Sequence, residues 1–263
     1  MKTRSNFLLS KWYLDCVADD GELFIAYVAS LKWQGVSINY SSTLHRQADG
    51  QTETNTSLRE ASVPHQAGAF VEWRSAHLNV GGTWRARAEP VQRVLLETET
   101  GSLEWNCLQP CAAAEIRIGN EPQLSGLGYV EHLTLSIPPW NLPIEELRWG
   151  RFLSPTDVLV WIDWRGAKPL QLVFHNGNQI EGASISDDGL AGGEFVLNLE
   201  EKVIVREGPL VKTALSMIPG VGRIFPLRVL RTHECKSLSR GTLKTTAGGV
   251  ASGWTIHEVV RWE

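Results

Sequence analysis

The 263-residue sequence reads as an all-β protein built in two antiparallel halves. Three observations predict this. Short runs of alternating apolar and polar residues recur along the whole chain, with the period of two that a strand requires. Turn chemistry separates them, at Asp19-Asp20-Gly21, Gly81-Gly82, Thr100-Gly101, Gly119-Asn120 and Asn176-Gly177. No strand–helix–strand alternation is present and no GxGxxG follows a strand, which removes the dinucleotide-binding class. Between the halves, Pro138, Pro139 and Pro143 interrupt the ladder because proline lacks a backbone N–H. The expected division is residues 1–137, a joint over 138–148, and residues 149–263.

Taken in order, Lys11–Trp33 is a hairpin. Trp12, Leu14 and Cys16 alternate before the Asp-Asp-Gly turn, and Leu23, Ile25, Tyr27, Ala29, Leu31 and Trp33 form an apolar face after it. Val36–Ser42 continues the alternation. Ala48–Gln66 is polar, rich in Thr, Asn and Ser, and reads as a long exposed loop with a short helical turn. Phe70–Asn79, Gly82–Ala88, Val91–Glu99, Ser102–Cys107 and Ala112–Ile118 are further short strands, at the close spacing of a barrel or sandwich. After the joint come Val158–Trp164, Leu170–His175, Glu194–Arg206, Leu227–Ser239, Gly241–Thr246 and Gly253–Trp262. Gly208–Phe225 is the one helical candidate, with Pro209 at its start and Pro219-Gly220 at its end.

Composition bounds the function. The formal net charge is −4 and no run of Lys or Arg occurs, so neither a nucleic acid nor an anionic membrane surface is an expected partner. The N-terminal MKTRSNFLLSKWYLD lacks an apolar core of about 7–15 residues, and no segment reaches membrane-spanning length. With Cys16, Cys107, Cys111 and Cys235 showing no CxxC spacing, the expectation is reduced thiols in a cytoplasmic protein. Eleven tryptophans against two methionines point to an aromatic core or an aromatic-walled cavity.

The chemistry-bearing stretch is Gly126–Arg151. Along GLGYVEHLTL, Tyr129, Glu131, Leu133 and Leu135 share one face, and Val130, His132 and Thr134 share the other. A carboxylate at a core-facing strand position costs several kcal/mol unless it is protonated or hydrogen-bonded. Glu258 repeats this situation among Trp254, Ile256, Val260 and Trp262. One reading is a proton-transfer site made of inward carboxylates and Tyr129, with burial turning a glutamate into an acid. The other is a satisfied polar network in which Glu131 or Glu258 pairs with Arg148, Arg151 or Arg231. Arg148-Trp149 likewise reads either as a lock on the joint or as a ligand contact. No i,i+2 His pair places two metal ligands on one face, no GxSxG occurs, and neither a metal nor a cofactor is expected.

GLGYVEHL, PPWNLPIEELRWGRF, VLVWIDWRG followed by LVFHNG, and the terminal GWTIHEVVRWE resemble the AttH-like/carotenoid 1,2-hydratase group. That resemblance implies two consecutive lipocalin-like β-barrels with one short helix. In the hydratases an aromatic–x–acid motif, with a His and a Trp on a preceding strand, serves protonation of a C=C bond. Tyr129-x-Glu131 matches the motif with Glu in place of Asp, and Trp105 matches the Trp. Leu103 stands where the His would be, so the resemblance implies an acid in a ligand-binding barrel rather than carotenoid hydration itself. The expected function is cofactor-independent hydration, cyclisation or isomerisation of a polyene, terpenoid or polyketide-like substrate. Glu131 would be the general acid and Tyr129 its partner. Trp105 and Trp161 would form aromatic walls, and His132, Arg148, Trp149 and Glu258 would make further substrate contacts. A peripheral membrane contact would serve substrate uptake. The alternative is a carrier of lipophilic ligands without catalysis.

Overall fold

A computed structural model describes residues 6–59, 62–213 and 226–262. The chain divides into two compact units, Met1–Leu142 and Pro143–Glu263. Each is a single antiparallel sheet, so the fold is all-β, as the period-two runs predict.

The first unit contains β1 (Leu8–Val17), β2 (Leu23–Trp33), β3 (Val36–Arg46), β4 (Thr52–Ser57), β5 (His65–Ala67), β6 (Phe70–Ser75), β7 (Val80–Ala86), β8 (Val91–Thr98), β9 (Gly101–Ile118) and β10 (Leu124–Leu135). Their order is β4-β3-β2-β1-β10-β9-β7-β6-β5, with β8 pairing β9 off this path. The first strand therefore pairs with the last, which is how an up-and-down meander curls into a lipocalin-like barrel. The β1–β2 hairpin has the expected register, from Leu8 opposite Lys32 to Val17 opposite Leu23. Gly21 takes φ 89° at its turn, a conformation that favours glycine.

The second unit repeats this plan. β11 (Glu146–Leu153), β12 (Val158–Arg165), β13 (Leu170–His175), β14 (Asn178–Gln179), β15 (Ser184–Ile185), β16 (Gly189–Gly192), β17 (Phe195–Pro209), α1 (Leu227–Arg231), β18 (His233–Thr245) and β19 (Val250–Arg261) follow in sequence. The sheet order is β14-β13-β12-β11-β19-β18-β17-β16-β15, again with first strand beside last.

Four local expectations are corrected. Within the polar segment 48–66, Thr52–Ser57 forms β4, hydrogen-bonded to Ser41–Arg46 at the sheet's end. Its side chains are mostly exposed, so no apolar alternation marks it. Leu227–Arg231 is helical, not the start of a strand, and β18 begins at His233. Of the helix expected over 208–225, Gly208 and Pro209 instead end β17 opposite Glu234 and His233, and residues 214–225 lie outside the described residues. The expected joint contains a 3-10 turn, Pro139–Asn141, while Glu146–Arg148 already belongs to β11.

One face of the first sheet carries the barrel core: Leu14, Cys16, Phe24, Ala26, Val28, Trp73, Trp84, Ala112, Ala114, Ile116 and Val130. In the second, Phe152, Leu159, Trp161, Val173, Phe195, Leu197 and Leu243 do the same. Yet the opposite faces are buried as well. Tyr13, Asp15, Tyr27, Trp105 and Tyr129 of the first unit are each 5% exposed or less. A half-solvated antiparallel sheet would leave those positions in water. Among the described residues no helix is long and apolar enough to cross a membrane.

Candidate functional site

Glu131 lies on that second buried face of the first sheet. β10 runs between β1 and β9, which sets Tyr13 and Cys107 on either side of Glu131 and Asp15 beside Tyr129. Alternation carries Trp105, Cys107, Tyr129 and Glu131 to the same side. The β9–β10 register shifts twice around Val130. Irregularities of this kind re-aim side chains, and this one coincides with Tyr129.

Two donors converge on one atom. Trp105 Nε1 donates to Glu131 Oε2 at 2.6 Å, and Tyr129 OH donates to the same oxygen at 2.7 Å. Indole N–H is a donor only, so its direction is fixed whatever the charge on Glu131. Burial, followed by the charges of Cys107 and Glu131, pushes the Tyr129 phenol well above its ordinary value. Tyr129 is therefore a neutral O–H at physiological pH. Burial also raises the Cys107 thiol; its hydrogen bond with Tyr129 acts the other way, and the Glu131 and Asp15 charges add to the rise. The thiol is an uncharged neighbour, not a nucleophile.

With both lone-pair directions of Oε2 taken by donors, a proton carried by Glu131 belongs on Oε1. Tyr129 and Trp105 are 0% and 1% exposed, whereas Glu131 is only partly buried. The carboxyl group is thus held from its buried side. Aromatic rings continue from it: Tyr13 meets Tyr129 edge-on at 6.0 Å and Tyr27 at 5.4 Å, and Lys11 Nζ lies 5.2 Å from the Tyr27 ring centre.

The other expected site residues fall elsewhere. His132 turns to the barrel-core face, stacks on Trp12 at 4.6 Å and bonds Ser10 Oγ at 2.8 Å, while burial lowers its pKa. Trp161 is in the second unit and packs in the apolar cluster there, over Gly150. Arg148 is engaged by Glu146 and Asp187. Burial works against ionisation of Glu146, but hydrogen bonds from Arg148 and Arg261 hold its carboxyl below the usual range. Glu258 pairs with Lys236 at 2.6 Å, and Lys236 stands 5.0 Å from the Trp149 ring centre. Arg151, fully buried, donates to the Trp254 carbonyl at 2.9 Å.

Asp15, Tyr13, Tyr27 and Cys107 join Glu131 without having been singled out in the sequence. The available signal was the alternation of β1, which places Tyr13 and Asp15 on one side. A polar cleft of about 440 Å³ lies along β6, β7 and β9, lined by Arg74, Asn79, Gly82, Glu115, Arg117 and Gln123; it contains none of the expected site residues. No group of three His, Cys, Asp or Glu that could hold a metal ion occurs among the described residues.

No protein-family profile matches the sequence, and no curated protein sequence matches it. Solved structures do. The structure of CghA with Sch210972 aligns over 98% of this chain and 89% of CghA, with a TM-score of 0.60 and 11% identity. Kievitone hydratase from Nectria haematococca aligns over 98% of this chain and 89% of its own, with a TM-score of 0.50 and 10% identity. At these identities the likeness is one of fold, and it is the two-barrel fold that the sequence resemblance implies.

Proposed function

We propose that the chain is a cofactor-independent enzyme that transfers a proton from Glu131 to a lipophilic polyene, terpenoid or polyketide-like substrate. The single observation that carries this reading is the double donation to Glu131 Oε2 by Trp105 and Tyr129. A carboxyl group oriented this way presents Oε1 as its proton-bearing atom. The aromatic rings beside it are suited to the positive charge that grows on carbon when an isolated or conjugated C=C bond is protonated. Loss of a proton elsewhere then gives an isomer or a ring; capture of water gives a hydrate. That one fold neighbour is by name a hydratase agrees with chemistry of this kind.

The test is incubation of the protein with linear isoprenoids and conjugated polyenes in deuterated water, followed by mass spectrometry. Isomerisation or cyclisation by protonation adds one carbon-bound deuterium, and hydration adds the elements of water besides. Glu131→Gln keeps the size of the side chain and removes its transferable proton, so turnover should fall by about 10²–10⁴. Unchanged product formation by a folded Glu131→Gln protein sinks the acid role. A carrier would incorporate no deuterium with any substrate.

A further inference from the structure

We infer that Lys11 sets the substrate class of the Glu131 site: a conjugated polyene that ends in a carboxylate. This inference rests on the acid role proposed for Glu131 and narrows what that acid meets. Strand register brings the two residues together. Glu131 on β10 is opposite Tyr13 on β1, and Lys11, two positions before Tyr13, is opposite Leu133. Alternation puts all four on one face. Diagonal neighbours such as Lys11 and Glu131 stand about 7–8 Å apart, within reach of a long side chain. Yet Lys11 leans the other way. Its Nζ lies 5.2 Å from the ring centre of Tyr27, which is opposite Tyr13 on the far flank of β1. The ammonium and the carboxyl group thus stand on either side of Tyr13, on strands about 10 Å apart.

Lys11 is half-buried, and among the described residues no carboxylate pairs with it. The Tyr27 ring attracts the ammonium but carries no charge to neutralise it. Nearby on the same face, Asp15 is fully buried beyond Tyr13, and Arg93 is exposed opposite Trp105, three strands from Lys11. Apolar side chains adjoin the lysine: Ala29 and Leu133 are opposite it on either flank, and Leu31 follows Ala29, all half-buried. A reachable apolar strip holding one cation suits a molecule with an anionic head and a long apolar body. The charge also bears on the chemistry. Protonation of a C=C bond puts positive charge on carbon, and an ammonium nearby opposes it. A substrate carboxylate paired with Lys11 cancels that opposition. It also fixes the chain over Tyr13 and Leu133, with its double bonds towards Glu131 Oε1. A neutral hydrocarbon does neither.

The probes are all-trans-retinoic acid and retinol, which share one polyene body and differ in the charge of the head. Binding to the full chain is followed by quenching of tryptophan emission. The acid is expected to bind saturably and at least about tenfold more tightly than the alcohol, in the wild type and in Glu131→Gln alike. Lys11→Met keeps the apolar stem and removes the charge. It should bring the acid's affinity down to that of the alcohol and leave the alcohol unchanged; Lys11→Gln serves in its place should that variant not fold. Lys11→Arg restores a cation and should keep most of the preference. Equal affinity for acid and alcohol in the wild type, no saturable binding of the acid, or a preference that survives in Lys11→Met overturns the inference. Failure of the acid role of Glu131 would appear differently: no deuterium enters any substrate, while the preference for the acid and its dependence on Lys11 remain.

Discussion

Trp105 Nε1 and Glu131 Oε2 are 2.6 Å apart across two strands, and the indole can only donate. A hydrogen bond to a charged acceptor contributes about 1.5–3 kcal/mol, more than a neutral one. The contribution can be isolated by combining Trp105→Phe and Glu131→Ala in a double-mutant cycle of denaturant unfolding. A coupling of about 0.5–1.5 kcal/mol is expected with Glu131 protonated, and about 1.5–3 kcal/mol once it is ionised. Strict additivity would mean that the two side chains do not meet in solution. Trp105→Phe should also slow any Glu131-dependent reaction by about tenfold, because the carboxyl group loses one of the two donors that fix it.

Tyr129 supplies the second donor, and its phenol is raised well above the ordinary value by burial and by Cys107 and Glu131. Its proton is therefore retained through the alkaline range in which exposed phenols ionise. Sign follows from linkage: a raised folded pKa stabilises the fold below the unfolded value, about 10, and that stability is lost as pH rises through the folded one. Tyr129→Phe should leave the absorbance titration of the folded protein near pH 10 unchanged. It should also flatten the alkaline fall in stability. A titration that loses one phenol near pH 10 in this variant would contradict the buried position.

Gly150 and Trp161 make a close pair in the second unit. A Cβ at Gly150 would lie 2.1 Å from the Trp161 ring, well inside van der Waals contact. Trp161 is 2% exposed in the apolar cluster, so the ring has little room to move. Gly150→Ala is expected to cost about 1–3 kcal/mol, the range for overpacking a core. Thermal unfolding checks it. Gly177→Ala is a contrasting control, since no atom lies within 4 Å of its Cβ position and only its φ of +82° opposes the change.

What was legible in the sequence follows from what alternation encodes. Period two and turn residues revealed most strands and the β1–β2 hairpin, because each strand buries at least one face. The same logic concealed much of the site. In KWYLDCV, Trp12, Leu14 and Cys16 mark the core side, and Asp15 then looks like a solvent residue. Instead both faces are buried, and Asp15 is 0% exposed beside Tyr129. Lys236 was missed for the same reason, since HECKSLSR reads as a wet strand while its lysine is 1% exposed. β4 was missed for the opposite reason: TETNTS buries almost nothing, and backbone pairing to β3 alone defines it. The motif Tyr129-x-Glu131 was readable because i and i+2 share a face. The second donor to Glu131, Trp105, comes from β9, which local pattern does not position.

His257 makes the last prediction, a dependence of stability on acid pH. It is 7% exposed in the second unit, and its Nε2 lies 3.1 Å from Ser239 Oγ. Burial, assisted by the charges of Lys202 and Lys236, brings its pKa down to about 4 from 6.5. A lowered folded value means that the unfolded chain binds this proton more readily over that interval. Stability is then fully present above about pH 6.5, declines as pH falls, and is lost below about pH 4. The difference corresponds to about 3 kcal/mol at most. His132 is lowered too and adds to the loss below pH 6.5, Glu234 is raised and opposes it, and the lowered carboxylates Glu146 and Asp157 add theirs only below their ordinary values. The comparison must therefore be between proteins at each pH. His257→Gln keeps a polar group that can meet Ser239 and removes the titration. Its melting temperature should fall less steeply than that of the wild type between pH 7 and pH 4, so that the two curves converge towards acid. Parallel curves over that range would mean that His257 titrates as it does in the unfolded chain.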